Sequence, residues 1–190
     1  MRILVCGGRD FAHGNIQEYQ WVHVVLDTLC ELVSEEYDPN DNWLPTDVTL
    51  IEGGAHGVDR AAESFAVVNF CRHKQFPADW EKYGKKAGYI RNRQMLVEGQ
   101  PNLVVAFPGG KGTSMMVDLA TKSGVNIIDL RDKNIMTMYH NKSDLKTMLN
   151  EAILLGDKDR YEAITKQLAE EYEETMKAQE IIDGISTKRE

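Results

Sequence analysis

Three short tracts of the chain combine glycine with charged or hydroxyl side chains in a way that suits anion chemistry. They are Gly7-Gly8-Arg9-Asp10, Glu52-Gly53-Gly54-Ala55-His56-Gly57-Val58-Asp59-Arg60 and Pro108-Gly109-Gly110-Lys111-Gly112-Thr113-Ser114. Residues without side chains let an anion approach the backbone and tolerate the positive φ that tight turns need. Where such a tract joins a strand to a helix, unpaired N–H groups and the positive end of the helix dipole converge on one point, which favours a phosphate. The third tract is the best equipped. The amides of Gly110 to Thr113 and the Thr113 hydroxyl can cradle a phosphate, and Ser114 offers a second hydroxyl. The spacing GxxxxGK[ST] of a Walker loop is absent, as are GxGxxG and the ribose-binding acid that would follow it, which sets aside the familiar NTPase and dehydrogenase classes.

Other side chains would complete such a site. Arg9, beside a glycine turn, suits a bidentate phosphate contact, the alternative being a salt bridge with Asp10. Asp59 falls in the first turn of the following helix, where it either serves the helix N-terminus electrostatically or binds a ribose hydroxyl. His56 reads as a loop residue ahead of a catalyst. Between Asp79 and Arg93, Trp80 or Tyr83 can stack on a base, while Lys85, Lys86, Arg91 and Arg93 supply local positive charge. Arg91 and Arg93 point in different directions on a helix, so one of them enters the site, and Arg91 is the better choice. No metal or cofactor is expected: the five histidines form neither HxH nor HExxH, and the three cysteines, Cys6, Cys30 and Cys71, have no CxxC spacing and read as reduced, buried hydrophobes.

The elements that must position these residues follow from the apolar pattern. Residues 3–6, 48–51, 102–107 and 125–130 are short apolar runs that read as strands, with a weaker strand at 72–76. Helical periodicity runs from Ile16 to Val33, from Val58 through Val68, from about Ala87 to Val97, and from the third glycine tract to about Ser123, where Gly124 is a C-cap. Residues 34–47 read as an exposed connection and residues 81–86 as a lysine-bearing loop. Strands alternating with helices imply an α/β fold, a Rossmann-like doubly wound parallel sheet with helices on both faces, in which ligands bind at the carboxyl ends of the strands. All three glycine pairs fall at such ends, where they would face one crevice. The expected division is a domain over residues 1–132 and a C-terminal amphipathic helical extension over 133–190.

Composition narrows the partners. With 22 Lys and Arg against 30 Asp and Glu the chain carries a net charge of −8, which argues against a long nucleic-acid strand. Residues 157–183 hold 9 acidic and 4 basic residues and so contribute −5 of that charge. Their apolar stripe (Tyr161, Ile164, Leu168, Tyr172, Met176, Ile182) must pack on something, either its own domain or a second copy in a homo-oligomer. No apolar run approaches the roughly 20 residues needed to span a bilayer, and no signal segment is evident, so the expected compartment is the cytoplasm.

Taken together the motifs resemble the SLOG superfamily of Rossmann-like proteins, and in particular its YspA-type branch, found in bacterial and phage genomes. The resemblance rests on residues 2–11, 52–62, 76–80, 88–95 and 107–113 and covers about residues 1–130. It implies a nucleotide-derived ligand at the glycine loops, to be sensed or sequestered. Relatives include the DNA-processing protein DprA, sensors of nucleotide signals, and the LOG phosphoribohydrolases, which cleave the base from a nucleoside monophosphate. In LOG enzymes the PGGxGT loop is followed by two glutamates, one of them catalytic, and an arginine from a preceding helix helps at the ribose. Arg91 matches that arginine by its spacing to Met95, but the glutamate positions hold Met115 and Met116. A carboxylate is needed to meet oxocarbenium charge or activate water, and methionine does neither. The substitute carboxylates would be Asp118, one helical turn on, or Glu52 and Asp59 from the neighbouring loop.

Overall fold

The computed structural model describes residues 1–38, 44–139 and 141–154. Strands β1 (Arg2–Cys6), β2 (Thr49–Glu52), β3 (Arg72–Gln75), β4 (Leu103–Ala106) and β5 (Asn126–Asp129) form one sheet in the order β3-β2-β1-β4-β5. Every pairing is parallel, and β1 lies at the centre with Leu4 in register with both Ile51 and Val104. The crossovers are helical: α1 (Ile16–Val33), α2 (Val58–Val68), the short α3 (Trp80–Tyr83) leading through a 3₁₀ turn (Gly84–Lys86) into α4 (Ala87–Val97), and α5 (Lys111–Lys122).

Alternate strand residues point to opposite faces, which divides the core in two. Ile3, Val5, Leu50 and Val105 pack with Val22 and Leu26 of α1 and Phe65 of α2, whereas Leu4, Ile51 and Val104 pack with Met95 of α4 and Met116 of α5. Burial on both faces explains why the central strands read as continuous apolar runs. Each fully buried aliphatic side chain contributes about 1.5–3 kcal/mol relative to its exposed state. The molecule is therefore a Rossmann-like doubly wound α/β protein. The chain passes from β1 to β2 on one side and later returns to place β4 on the other, so the crossovers that leave β1 and β4 run in opposite directions and open a crevice at the carboxyl ends of these strands.

Local signals set most boundaries. The Asn15 side chain accepts the amides of Gln17 and Glu18 to start α1, and Gly124, at φ +68°, ends the turn after α5. One stretch read as a loop is helical: residues 81–86 form part of α3 and the 3₁₀ turn, because Asp79 caps them by accepting the Lys82 amide at 2.9 Å.

The compact unit runs from Met1 to Ile153, beyond the expected boundary at residue 132. After β5 come α6 (Asn134–Met138) and α7 (Lys142–Leu154), and Leu145 and Leu149 of α7 are fully buried in the core on the α1 face. Lys142 lies 2.8 Å from Asp27 and 2.6 Å from Glu31, and Lys146 lies 3.2 Å from Glu31, fastening α7 to α1. The acidic stripe at 157–183, with the oligomer contact inferred from it, falls outside the described residues. Cys6, Cys30 and Cys71 are buried and free. Among the described residues no helix is long and apolar enough to cross a membrane.

Candidate functional site

A cavity of about 670 Å³ occupies the crevice at the ends of β1 and β4. The loop after β1 gives it Gly7, Gly8, Arg9 and Asp10, and the loop after β4 gives Gly109, Gly110, Gly112 and Thr113. The two loops are stitched together, the Gly8 amide donating to the Pro108 carbonyl at 2.8 Å. Close approach explains the glycine at 109: a Cβ there would lie 2.2 Å from Thr113 Oγ1 and 2.7 Å from the Gly8 nitrogen. At Gly110, by contrast, a Cβ would meet nothing within 4 Å.

Gly110 is the N-cap of α5 and makes no side-chain capping bond. The amides of Thr113 and Ser114 turn back to the Gly110 carbonyl at 3.1 Å, so the free amides are those that precede them. The Thr113 amide, expected among the phosphate donors, is thus committed to the turn. Asn92 of α4 donates from Nδ2 to the Gly112 carbonyl at 3.1 Å and fixes the start of α5 against α4.

The loop after β2 is built differently. Of its residues only Ala55 and Asp59 reach the cavity; Gly53 and Gly54, expected to bind the ligand, do not line it. The reason is Arg91. Its guanidinium lies directly over Gly53, where a Cβ would fall 1.3 Å from Nη1. Gly54 sits at φ +71° and donates its amide at 2.5 Å to the fully buried Glu52, whose other oxygen is 2.9 Å from His73 Nε2. Glu52 therefore braces the loop and is not a wall of the cavity.

Arg91 and Asp59 form the polar floor. Arg91 Nη1 stands 3.5 Å from Asp59 Oδ2, which also accepts the Ala55 amide at 3.1 Å, and Arg91 Nε is buried without a hydrogen-bond partner. Burial pushes the Asp59 carboxyl up to about 6, against the opposing pull of Arg91 and of the Ala55 amide. Burial, reinforced by Asp59, pushes the neighbouring Cys6 thiol up to about 12, so it stays protonated.

Aromatic and cationic side chains complete the mouth. Arg9 stacks over Trp80, 5.4 Å from the ring centroid, in place of the alternative salt bridge with Asp10. Trp80 and Tyr89 both line the cavity and are 49% and 45% exposed. Lys85 and Lys133 join them, whereas Tyr83, Lys86 and Arg93 lie outside the walls. Arg9, Lys85, Arg91 and Lys133 thus face the space against two carboxylates, Asp10 and Asp59.

Two expected site residues are elsewhere. Ser114 is turned to the surface, its hydroxyl accepting from Arg131 Nη1 at 3.4 Å, and Asp118 is exposed farther along α5. Asp118 lies five residues beyond Thr113, about 7.5 Å farther along the helix axis and past Met116, the last residue of α5 that lines the cavity. Met115 and Met116, at the positions of the LOG glutamates, do line the cavity. Lys133, Asn92 and Tyr89 are members of the site that sequence reasoning did not single out. Lys133 had a signal, since it closely follows the carboxyl end of β5; Asn92 had only its place between Arg91 and Arg93.

A parallel, doubly wound sheet with a glycine-walled cavity at its switch point defines the class as Rossmann-like. The chain belongs to the YspA, cpYpsA-related SLOG family, whose profile matches residues 1–83. It is 36% identical over 98 residues to the Gene 61 protein of Mycobacterium phage D29, an alignment that covers 47% of this chain and 76% of the phage protein. No solved structure matches the chain.

Proposed function

We propose that the chain binds a nucleotide or nucleotide-derived ligand in this cavity, to sense or sequester it. The observation that carries the reading is the start of α5: free amides and an uncapped Gly110 open onto a space where four cations face two carboxylates. A phosphate placed there satisfies amides that otherwise lack partners and meets the positive end of the helix dipole. The ribose falls near Asp59, the base packs against Trp80 and Tyr89, and Arg9 and Arg91 add positive charge.

A thermal-shift panel of nucleoside mono- and diphosphates, NAD and cyclic dinucleotides tests this, because a ligand that binds the native state raises the melting temperature at saturation. At least one nucleotide is expected to do so, and Gly110→Asp to abolish the shift by setting a carboxylate where the phosphate sits. A shift unchanged in the variant would remove the phosphate from this loop.

A second reading, hydrolysis of the N-glycosidic bond of a nucleoside monophosphate, is favoured by one observation. Asp59 is a carboxyl group in the cavity wall whose pKa is raised to about 6, in the range useful for proton transfer. Incubation with AMP and with NAD would then release adenine or nicotinamide, and Asp59→Asn would stop the release. No free base at high protein concentration would eliminate hydrolysis and leave binding.

A further inference from the structure

Trp80 is the largest aromatic side chain in the cavity wall, and its backbone is fixed. Asp79 caps its helix by accepting the Lys82 amide at 2.9 Å, and the Trp80 amide donates to the Ala78 carbonyl at 3.1 Å. The indole rests on the start of α4, where a Cβ at Gly88 would touch Cη2 at 3.4 Å. Trp80 is nonetheless 49% exposed. Over its ring stands the Arg9 guanidinium, 5.4 Å from the centroid. The flat surface on which a base would stack is therefore already covered by another side chain of the protein.

Arg9 is rooted elsewhere. It follows Gly8, whose amide donates to the Pro108 carbonyl at 2.8 Å and where a Cβ would lie 3.1 Å from Gly109 Cα. The Arg9 backbone thus stands one residue from the contact that joins the β1 loop to the loop before α5, while its charge is carried out to the mouth of the cavity on a flexible, exposed stem. An exposed cation on an aromatic face is a weak contact. A guanidinium gains more from the paired, charge-assisted hydrogen bonds of a phosphate.

We infer that Arg9 is a movable cover on Trp80 that makes the cavity select a nucleotide over the corresponding nucleoside or free base. This rests on the nucleotide reading of the cavity and assigns that discrimination to one residue. In the empty cavity the guanidinium occupies the face that the base needs. A nucleoside has to displace it and offers it no anion. A nucleotide displaces it with the base and receives it on the phosphate, so each group makes room for the other. Linkage makes the effect reciprocal: a phosphate in the cavity raises the affinity for the base by the same factor as the base raises the affinity for the phosphate.

Calorimetric titration of the full chain with adenosine tests it, on wild type and Arg9→Ala, without and with excess inorganic phosphate. Adenosine is expected to bind Arg9→Ala about two- to fivefold tighter than wild type, which corresponds to the loss of one exposed cation–π contact. Phosphate is expected to close that gap by tightening adenosine binding to wild type, and to leave Arg9→Ala unchanged. An arginine that only carried charge would leave adenosine binding equal in the two proteins, and one that served as a second stacking surface would make it weaker in Arg9→Ala. Either result would overturn the inference. A second readout does not depend on the base. In fluorine NMR of a fluorotryptophan-labelled chain, with the Trp80 resonance identified by its loss in Trp80→Phe, phosphate alone is expected to move that resonance of wild type toward its position in Arg9→Ala. A Trp80 resonance that phosphate leaves in place would overturn the inference even if adenosine binds neither protein. If nucleotides still raise the melting temperature when one of these results is found, the nucleotide reading stands and only the Arg9 exchange falls. A panel without any thermal shift would overturn both.

Discussion

At Gly110, after β4, an added side chain would meet empty space; at Gly53, after β2, it would strike Arg91. Both glycines belong to loops that lead from the same parallel sheet into a helix, Gly53 directly after its strand and Gly110 at the N-cap of α5. The difference lies in what fills the space left by the missing side chain. After β2 the protein fills it, with the guanidinium of a residue from α4, and the loop is braced by Glu52. At Gly110 the space is open, and Gly110 and Gly112 line the cavity. A glycine-rich strand end thus has room for an anion only where no other part of the chain has already occupied it.

This contrast sets out what substitutions should do on each side. The largest effect is expected on the filled side at Gly57, which sits at φ +75° with the carbonyl oxygens of Gly8, Arg9 and Phe11 within 2.6 Å of a Cβ. Backbone cannot yield as a flexible side chain can. Gly57→Ala should cost about 3 kcal/mol or more, read from the urea midpoint.

The next effect concerns Asp59, which belongs to the filled loop yet faces the cavity. Its carboxyl holds a proton more tightly in the folded chain, at about 6, than the ordinary value of 3.8. The native state therefore binds more protons than the unfolded state between those values, and this residue's contribution to stability falls as pH rises from about 4 to about 6. The loss is on the order of 3 kcal/mol. Unfolding of wild type and Asp59→Asn compared at pH 4, 5, 6 and 7 should show the variant gaining on wild type across that window and levelling above it. A constant difference would mean that Asp59 is ionised throughout.

A smaller effect, about 1 kcal/mol, is expected for Gly53→Ala, because the colliding atom is the end of a flexible side chain. Its signature is a displaced Arg91 in a crystal structure of the variant. The smallest is Gly110→Asp. The aspartate is a better N-cap than glycine and favours the positive end of α5, so the variant should melt no lower than wild type and gain a few tenths of a kcal/mol.

Much of the fold was legible in the sequence because the patterns are local. Apolar periodicity alone placed α1, α2 and α4 at their observed bounds, and the alternation of strands with helices implied the parallel sheet. The site was legible at the ends of β1 and β4 for the same reason: glycine tracts there are followed directly by a helix or a charged loop. What escaped was decided by distant partners. Nothing near Gly53 announces that Arg91, 38 residues on, will cover it. Lys133 enters from beyond the last strand, in a segment that the composition assigned to the tail. Asp118 differs from these, since a rise of about 1.5 Å per residue carries it about 7.5 Å down α5 from Thr113, away from the glycine loop.

The contrast between an open and a filled glycine loop stands or falls on Gly110. The direct test is calorimetric titration of wild type and Gly110→Asp with the nucleotide that gives the largest thermal shift, alongside the melting temperature of each unliganded protein. The expected result is measurable binding by wild type and at least a hundredfold weaker binding by a variant that melts no lower. Equal dissociation constants in the two proteins would contradict it, and would place the nucleotide phosphate somewhere other than the start of α5.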